Sequence, residues 1–164
     1  MGGEYGIGKN KTVQILNALS DLDNVQVVAI AGKNEKLKDA FDKIVIEKHK
    51  EKDIKVLPFT TLVPELMSIS SLVITKPGGL TTSESLASHL PLIIINPIPG
   101  QEEENAEFLE QYGCGVWLKK IDEAKEIISS ILLNDEKLEY MREKSIQLSR
   151  PNSSKDICKI IFGK

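Results

Sequence analysis

Residues 71–100, SLVITKPGGLTTSESLASHLPLIIINPIPG, contain two short apolar runs on either side of a polar segment of helical length. Both runs are rich in β-branched residues, which favours strands at residues 71–79 and 91–97, the first ending in a glycine turn. The segment between them, residues 80–89, is predicted to be a helix. A strand, a helix and a strand in this order predict a parallel pair joined by a right-handed crossover.

The same alternation continues on both sides of this unit. Further strands are predicted at residues 25–32, 54–59 and 115–118, and the first of these is apolar enough to be buried on both faces. Helices are predicted over residues 10–22, 33–50, 101–112, 122–133, 135–148 and 152–161, with a short one after Pro64. We therefore expect a Rossmann-like, doubly wound parallel α/β sheet in one domain.

The composition excludes several classes of function. A nucleic-acid surface needs clustered Lys and Arg, and the net charge of −3 argues against one. The two cysteines and two histidines lack metal-ligand spacing, which predicts neither a zinc site nor a disulfide framework. Because the sequence has no run of about 18 apolar residues, no transmembrane segment is predicted.

The first of three glycine-containing loops is GGEYGIGKN, residues 2–10. It differs by one residue from the phosphate loop of triphosphatases, because Asn10 stands where Ser or Thr would hold Mg²⁺. A phosphate cradle at a helix start and a tight structural turn remain the alternatives. Such a loop normally follows a buried strand, and only Met1 precedes it, so we expect the sequence to be a fragment.

The second loop, Pro77-Gly78-Gly79, follows a predicted strand at the position where open α/β sheets bind their ligands. Hydroxyl residues that could cap the next helix come directly after it. Glu84 is placed in the first turn of that helix, where a carboxylate suits the macrodipole. The same carboxylate could instead accept hydrogen bonds from two vicinal sugar hydroxyls.

The third loop, Asn96 to Gly100, also follows a predicted strand and leads into the polar run Gln101-Glu102-Glu103-Glu104-Asn105. This run is either an acidic, well-capped helix start or a row of groups that bind sugar hydroxyls. Because the carboxyl ends of parallel strands share one edge of a sheet, we expect the three loops to form one rim.

The segment KPGGLTTSESLASHLPLIIINPIPGQEEENAEFLEQYG resembles the donor-binding region of glycosyltransferases that make diacylglycerol glycolipids. These are the processive diacylglycerol glucosyltransferases and the monogalactosyldiacylglycerol synthases. The peptidoglycan N-acetylglucosaminyltransferase is more distantly similar. The motif KPGG-x-T-x-x-E followed by PGQE-x-x-N carries the resemblance, which extends over roughly residues 2–115.

The resemblance implies one domain of a two-domain, B-type glycosyltransferase. Residues 1–164 would be the C-terminal domain that binds the UDP-sugar donor, lacking its first strand and the N-terminal acceptor domain. The whole enzyme would transfer a hexose, with inversion, to a lipid such as diacylglycerol. It would need no metal or cofactor beyond the UDP-sugar substrate and would be cytoplasmic, bound peripherally at the inner face of the membrane. The fragment alone would bind UDP but transfer nothing, because the catalytic base lies in the missing domain.

Carried onto matching positions, the resemblance assigns the UDP-sugar contacts residue by residue. Gly3, Glu4, Tyr5 and Gly6 would approach the diphosphate or sugar, and Phe59 and Thr60 the uracil. Gly78, Gly79, Leu80 and Thr81 would bind the phosphates, and Glu84 the ribose. Pro99 and Gly100 would shape the loop from which Gln101 and Glu102 contact the hexose, and Asn105 would support that loop.

Two other functions remain compatible with the sequence. One is an isomerase of similar architecture, resembling UDP-sugar 2-epimerases, although PGQE does not match their motifs. The other is a non-catalytic UDP-sugar-binding subunit of a split glycosyltransferase. The residues do not distinguish glucose, galactose and N-acetylglucosamine, since the side chains near Gln101 accept hydrogen bonds from several epimers.

Overall fold

The computed structural model describes residues 9–163, in which strands and helices alternate in the predicted order. The strands are β1 (Val27–Ile30), β2 (Ile54–Leu57), β3 (Val73–Thr75), β4 (Leu92–Ile94) and β5 (Gly115–Trp117). The helices are α1 (Lys9–Ser20), α2 (Glu35–Glu47), α3 (Val63–Ile69), α4 (Gly79–Ala87), α5 (Gln101–Gln111), α6 (Ala124–Leu132), α7 (Asp135–Leu148) and α8 (Ser153–Phe162). A short 3-10 helix, Ile121–Glu123, precedes α6.

Each of these strands is shorter than predicted, and the ends of β2, β3 and β4 have local causes. Pro58 and Pro77 lack the N–H that a ladder needs, and they follow β2 and β3 within two residues. Asn96, two residues after β4, adopts a left-handed backbone with φ of 43°. The strand exits therefore turn early into the loops that the sequence analysis singled out.

Every strand pair in the structure is parallel. The strands form a two-stranded sheet, β1-β2, and a three-stranded sheet, β3-β4-β5. The ladder is thus not continuous between β1 and β3 among the described residues, whereas a single sheet was predicted. The core is nevertheless continuous, because Val27 of β1 and Ile74 of β3 pack against the same apolar cluster as Ile15 of α1.

Strand β4 is covered on both faces, as a doubly wound fold requires. Its three residues are fully buried, and Ile93 belongs to a different cluster from Leu92 and Ile94. The Ile93 cluster contains residues of α1 and α6, whereas the other contains residues of α4 and α5. The domain is therefore a mixed α/β, Rossmann-like fold with helices on both sides of β4.

Strand β1 differs from its predicted burial. Val27 and Ala29 pack against residues of α1 and α2, but Val28 points away from them and is 45% exposed. The prediction that this strand is buried on both faces is wrong, because helices α1 and α2 cover only the face that carries Val27 and Ala29.

Helix α8 has no buried residues and exposes a stripe of large apolar side chains. The stripe comprises Ile157, Ile160, Ile161 and Phe162. None of the helices within residues 9–163 combines the length and apolarity that crossing a bilayer requires.

Candidate functional site

The candidate site lies at the carboxyl ends of the strands, where the loops after β2, β3 and β4 emerge. Parallel pairing places the ends of β3 and β4 side by side, with Thr75 opposite Ile94. The start of α1 joins the same edge, because Lys11 Nζ donates a 2.8 Å hydrogen bond to Asn96 Oδ1 just beyond β4. The structure thus brings the second and third glycine loops together as predicted from topology.

The loop between β3 and α4 presents backbone amides that have no hydrogen-bond partner among the described residues. Gly78 is the N-cap residue of α4 and supplies no side-chain cap, and the first helical bond runs from the Thr82 N–H to the Gly78 carbonyl. Within residues 9–163, no protein group accepts a hydrogen bond from the amides of Gly79, Leu80 or Thr81. Three free amides at the positive end of a helix form a chemically suitable anion site.

Two other helices of the domain start with a side-chain cap, whereas α3, α5, α6 and α8 start without one. The Asn34 side chain accepts from the Leu37 N–H at the start of α2, and Asn134 accepts from the Lys137 N–H at the start of α7. What distinguishes the start of α4 is therefore its position at the exit of β3, next to the exit of β4.

Space is also available at this turn. A methyl group added at Gly78 would lie 3.8 Å from Glu102 Oε1, and one at Gly79 would lie 4.0 Å from Gln101 Nε2. Both distances are ordinary van der Waals contacts, so glycine is not required there for packing inside the domain. The side chains of Gln101 and Glu102 lie against the Gly78-Gly79 turn, where a bound ligand would meet both loops.

Glu84 lies farther along α4 than predicted. Because the helix begins at Gly79, Glu84 is its sixth residue, and the first turn contains no acidic residue. The placement in the first turn is wrong, which weakens the explanation by the macrodipole, since that effect fades beyond the first turn. The Glu84 side chain is exposed to solvent and free to accept hydrogen bonds from a ligand.

Helix α5 fastens the two glycine loops to each other. Glu102 Oε2 accepts a 2.7 Å hydrogen bond from the Ile98 N–H and lies 3.2 Å from Lys76 Nζ. Asn105 Nδ2 donates a 2.8 Å hydrogen bond to the Pro77 carbonyl. The turn into α5 is made at Gly100, whose φ of 98° favours glycine. Pro99 is exposed at the tip of this loop.

The partnership of Lys76 and Glu102 was missed by the sequence analysis, which placed Glu102 against the hexose alone. The signal available in the sequence was topological. Lys76 follows β3 and Glu102 follows β4, and adjacent parallel strands bring their exits together.

The loop after β2 carries an exposed aromatic side chain. Phe59 is 61% exposed, and Lys33 Nζ lies 5.7 Å from the centre of its ring. Thr60 Oγ1 accepts a hydrogen bond from the Leu62 N–H and so shapes the entry to α3. An exposed ring at a strand exit can stack on a base. The contact with uracil therefore stays a prediction.

Gly3, Glu4, Tyr5 and Gly6 lie outside the described residues, so their predicted contacts remain predictions. Both histidines occupy left-handed positions directly after helices: His49 has a φ of 53° and His89 a φ of 57°. Among the residues that the structure describes, no group of three or more His, Cys, Asp or Glu side chains is arranged to hold a metal.

A cavity of about 340 Å³ lies elsewhere, between the end of α5 and α7. Its lining includes Tyr112, Gly113 and Tyr140. Because α5 starts at the exit of β4 and ends before β5 begins, this cavity is at the opposite edge from the glycine loops. It is separate from the candidate site.

Comparison with known proteins assigns the chain to a family. Residues 9–159 match the glycosyltransferase family 28 C-terminal domain. The chain is 36% identical over 162 residues to the processive diacylglycerol beta-glucosyltransferase of Bacillus subtilis (strain 168), covering 99% of this chain and 42% of that protein. It is 39% identical over 160 residues to the protein of the same name from Staphylococcus epidermidis (strain ATCC 12228 / FDA PCI 1200), covering 96% and 39%.

The fold is shared more widely than the sequence. The crystal structure of WaaG, a glycosyltransferase involved in lipopolysaccharide biosynthesis, superposes with a TM-score of 0.65 at 14% identity, covering 96% of this chain and 44% of WaaG. The chain thus spans less than half the length of the curated relatives described above, and it matches them over nearly its whole extent. Because the family match extends from residue 9 to residue 159, the chain belongs to the glycosyltransferase family 28 C-terminal domain family.

Proposed function

We propose that this chain is the donor-binding half of a glycosyltransferase that transfers a hexose from a UDP-sugar to a lipid such as diacylglycerol, with inversion. The uncapped start of α4 after Gly78 carries the proposal, because it offers three free amides to an anion. The family membership and the names of the two bacterial relatives support the choice of a sugar donor and a lipid acceptor.

In the proposed reaction, an acceptor hydroxyl attacks the anomeric carbon while the bond to the UDP oxygen breaks. Negative charge then develops on the diphosphate. The amides of Gly79, Leu80 and Thr81, together with the helix N-terminus, stabilise that charge without a metal. A base outside this chain takes the hydroxyl proton, so this chain supplies binding and leaving-group stabilisation but no catalytic residue.

The donor is proposed to lie across the rim with each part on a different loop. Phe59 and Thr60 face the uracil, and Glu84 accepts hydrogen bonds from the ribose hydroxyls. The hexose meets the side chains near Gln101. The loop at residues 3–6 completes the site beside the diphosphate or sugar.

The lipid acceptor and the membrane are proposed to bind to a part of the enzyme other than this chain. A lipid substrate lies in a bilayer, so the full enzyme would be cytoplasmic and bound peripherally at the inner face of the membrane. The isomerase alternative is not favoured, because the matched family and the two relatives described above are glycosyltransferases. A non-catalytic donor-binding subunit would use the same site and differ only in where the acceptor domain is encoded.

Thermal unfolding with a panel of nucleotides tests this proposal. A ligand at about 100 times its Kd stabilises a protein by about 2.7 kcal/mol, which for a domain of this size raises Tm by roughly 5–10 °C. We expect UDP to raise Tm more than UMP, and UMP more than uridine. CDP and ADP, which carry other bases on the same diphosphate, test whether the protein prefers uracil. Stabilisation by ADP equal to that by UDP would contradict the proposal.

A further inference from the structure

One carboxylate oxygen connects three parts of the candidate site. Glu102 Oε2 lies 3.2 Å from Lys76 Nζ and accepts the Ile98 N–H at 2.7 Å. Lys76 is the last residue before the Pro77-Gly78-Gly79 turn, and Glu102 is in the first turn of α5. This oxygen therefore links the exit of β3, the loop after β4 and α5.

The Lys76–Glu102 pair is the most buried ion pair within residues 9–163. Its side chains are 12% and 21% exposed, whereas every other described pair has at least one partner exposed by more than a third. Attraction between charges is less screened at such a position than at an exposed surface. The pair thus fixes the position of an ammonium group that would otherwise move with a flexible side chain.

The fixed ammonium belongs to the residue that leads into the free amides of α4. A nucleotide diphosphate bound at those amides brings negative charge into a partly desolvated rim, where a nearby cation gains in effect. Glu102 Oε1 lies against Gly78 and has no hydrogen-bond donor among the described residues, so Oε2 alone holds Lys76.

We propose that Lys76 and Glu102 form a positioning pair, in which the Glu102 carboxylate holds the Lys76 ammonium beside the glycine turn, where it offsets the charge of the donor diphosphate. Lys76 acts on the diphosphate, and Glu102 acts through Lys76. This inference rests on the proposed function, and it gives Glu102 a task in binding UDP itself, apart from any contact with the hexose.

A double-mutant cycle with two ligands tests the pair. Calorimetry would measure the Kd of UDP and of uridine for the wild-type chain, Lys76→Met, Glu102→Gln and the double variant. We expect Lys76→Met to weaken UDP binding about 10- to 100-fold, the range for a hydrogen bond to a charged group. Glu102→Gln should weaken it several-fold in the wild-type background and change it little in the Lys76→Met background. Uridine binding should stay within about twofold throughout, because uridine has no phosphate.

Two further variants separate positioning from a merely structural role. Lys76→Arg keeps the cation and should restore most of the UDP affinity that Lys76→Met loses. Lys38→Met removes a lysine that is paired with Asp42 on α2, away from the glycine loops, and should leave UDP affinity unchanged. Should Lys76→Met unfold, the double variant, which leaves no uncompensated charge, still compares UDP with uridine.

The outcomes distinguish this inference from the proposed function. A wild-type chain that binds no UDP overturns both. A wild-type chain that binds UDP, together with variants that weaken UDP and uridine equally, overturns the positioning pair alone. Additive effects of the two substitutions, or tighter UDP binding by Glu102→Gln, also overturn it.

Discussion

Among single residues, Glu84 has the most specific proposed role. Its carboxylate is exposed on α4 beyond the first turn, and one carboxylate can accept hydrogen bonds from both ribose hydroxyls. We expect Glu84→Ala to weaken UDP binding about 10- to 100-fold, as measured by calorimetry.

The ligand provides the control for Glu84. With 2′,3′-dideoxy-UDP, which lacks both hydroxyls, Glu84→Ala should bind about as well as the wild-type chain. Glu107 is an exposed glutamate on the neighbouring helix α5, and Glu107→Ala should leave UDP affinity unchanged. Equal losses for UDP and its dideoxy analogue would place Glu84 away from the ribose.

The two cysteines should differ sharply in reactivity. Burial raises the pKa of the Cys114 thiol to about 11, so at pH 8 it is neutral as well as inaccessible. Cys158 is exposed on α8. We expect a thiol reagent at pH 8 to modify one cysteine in the native chain and two in denaturant. Rapid modification of Cys114 in the native chain would show that the packing between α5 and β5 opens.

The elements show which features can be predicted from a sequence and which cannot. Helix α7 has the predicted bounds at both ends, because Asn134 caps its start and local residues suffice to define it. Strands β2, β3 and β4 are shorter than predicted, because two prolines and a left-handed Asn96 end them within the apolar runs. The break in the ladder between β1 and β3 and the exposed face of β1 depend on tertiary packing. The apolar pattern of a single strand does not predict that packing.

The site shows the same division between local and tertiary information. Its place at the strand exits follows from topology, and the loops were identified by their glycines. The contact of Glu102 with Lys76 depends on how α5 is oriented over the neighbouring loop, which no local pattern specifies. Glu84 is the sixth residue of α4 and would be the fifth of a helix that starts at Leu80, so either start puts it beyond the first turn.

Two glycines in different elements should differ in how far substitution by alanine affects stability. A methyl group at Gly115 in β5 would lie 2.8 Å from Leu109 Cβ and 3.0 Å from Ile94 Cδ1. Gly115→Ala should therefore destabilise the domain by about 1–3 kcal/mol, lowering Tm by roughly 2–4 °C for each kcal/mol. Gly79→Ala meets no such contact, so it should keep the wild-type Tm and weaken UDP binding by approaching the phosphates. A normal Tm for Gly115→Ala would contradict the described packing of α5 on β5.

Helix α5 should support the glycine turn through Asn105. Asn105→Ala removes the hydrogen bond to the Pro77 carbonyl, which should cost about 1 kcal/mol in the free energy of unfolding. UDP affinity should fall as well, because the turn is held less firmly. Denaturant titration and calorimetry measure the two effects, with Glu104→Ala on the exposed face of α5 as the control. Unchanged UDP affinity would show that the turn keeps its shape without Asn105.

At the scale of the whole molecule, the chain spans less than half the length of its relatives, yet its described residues form a continuous core and hold the loop after β3 against α5. The fold and the family could be predicted from the alternating pattern and the KPGG and PGQE motifs. The identity of the hexose and of the acceptor could not, because no group among residues 9–163 discriminates between the candidates.

The most direct test of the account is calorimetry of the wild-type chain with UDP, UDP-glucose, ATP and GTP under identical conditions. A donor-binding domain should bind UDP and UDP-glucose and should bind both purine triphosphates at least tenfold more weakly, a difference of about 1.4 kcal/mol. ATP or GTP binding more tightly than UDP would contradict the assignment of this site to a UDP-sugar.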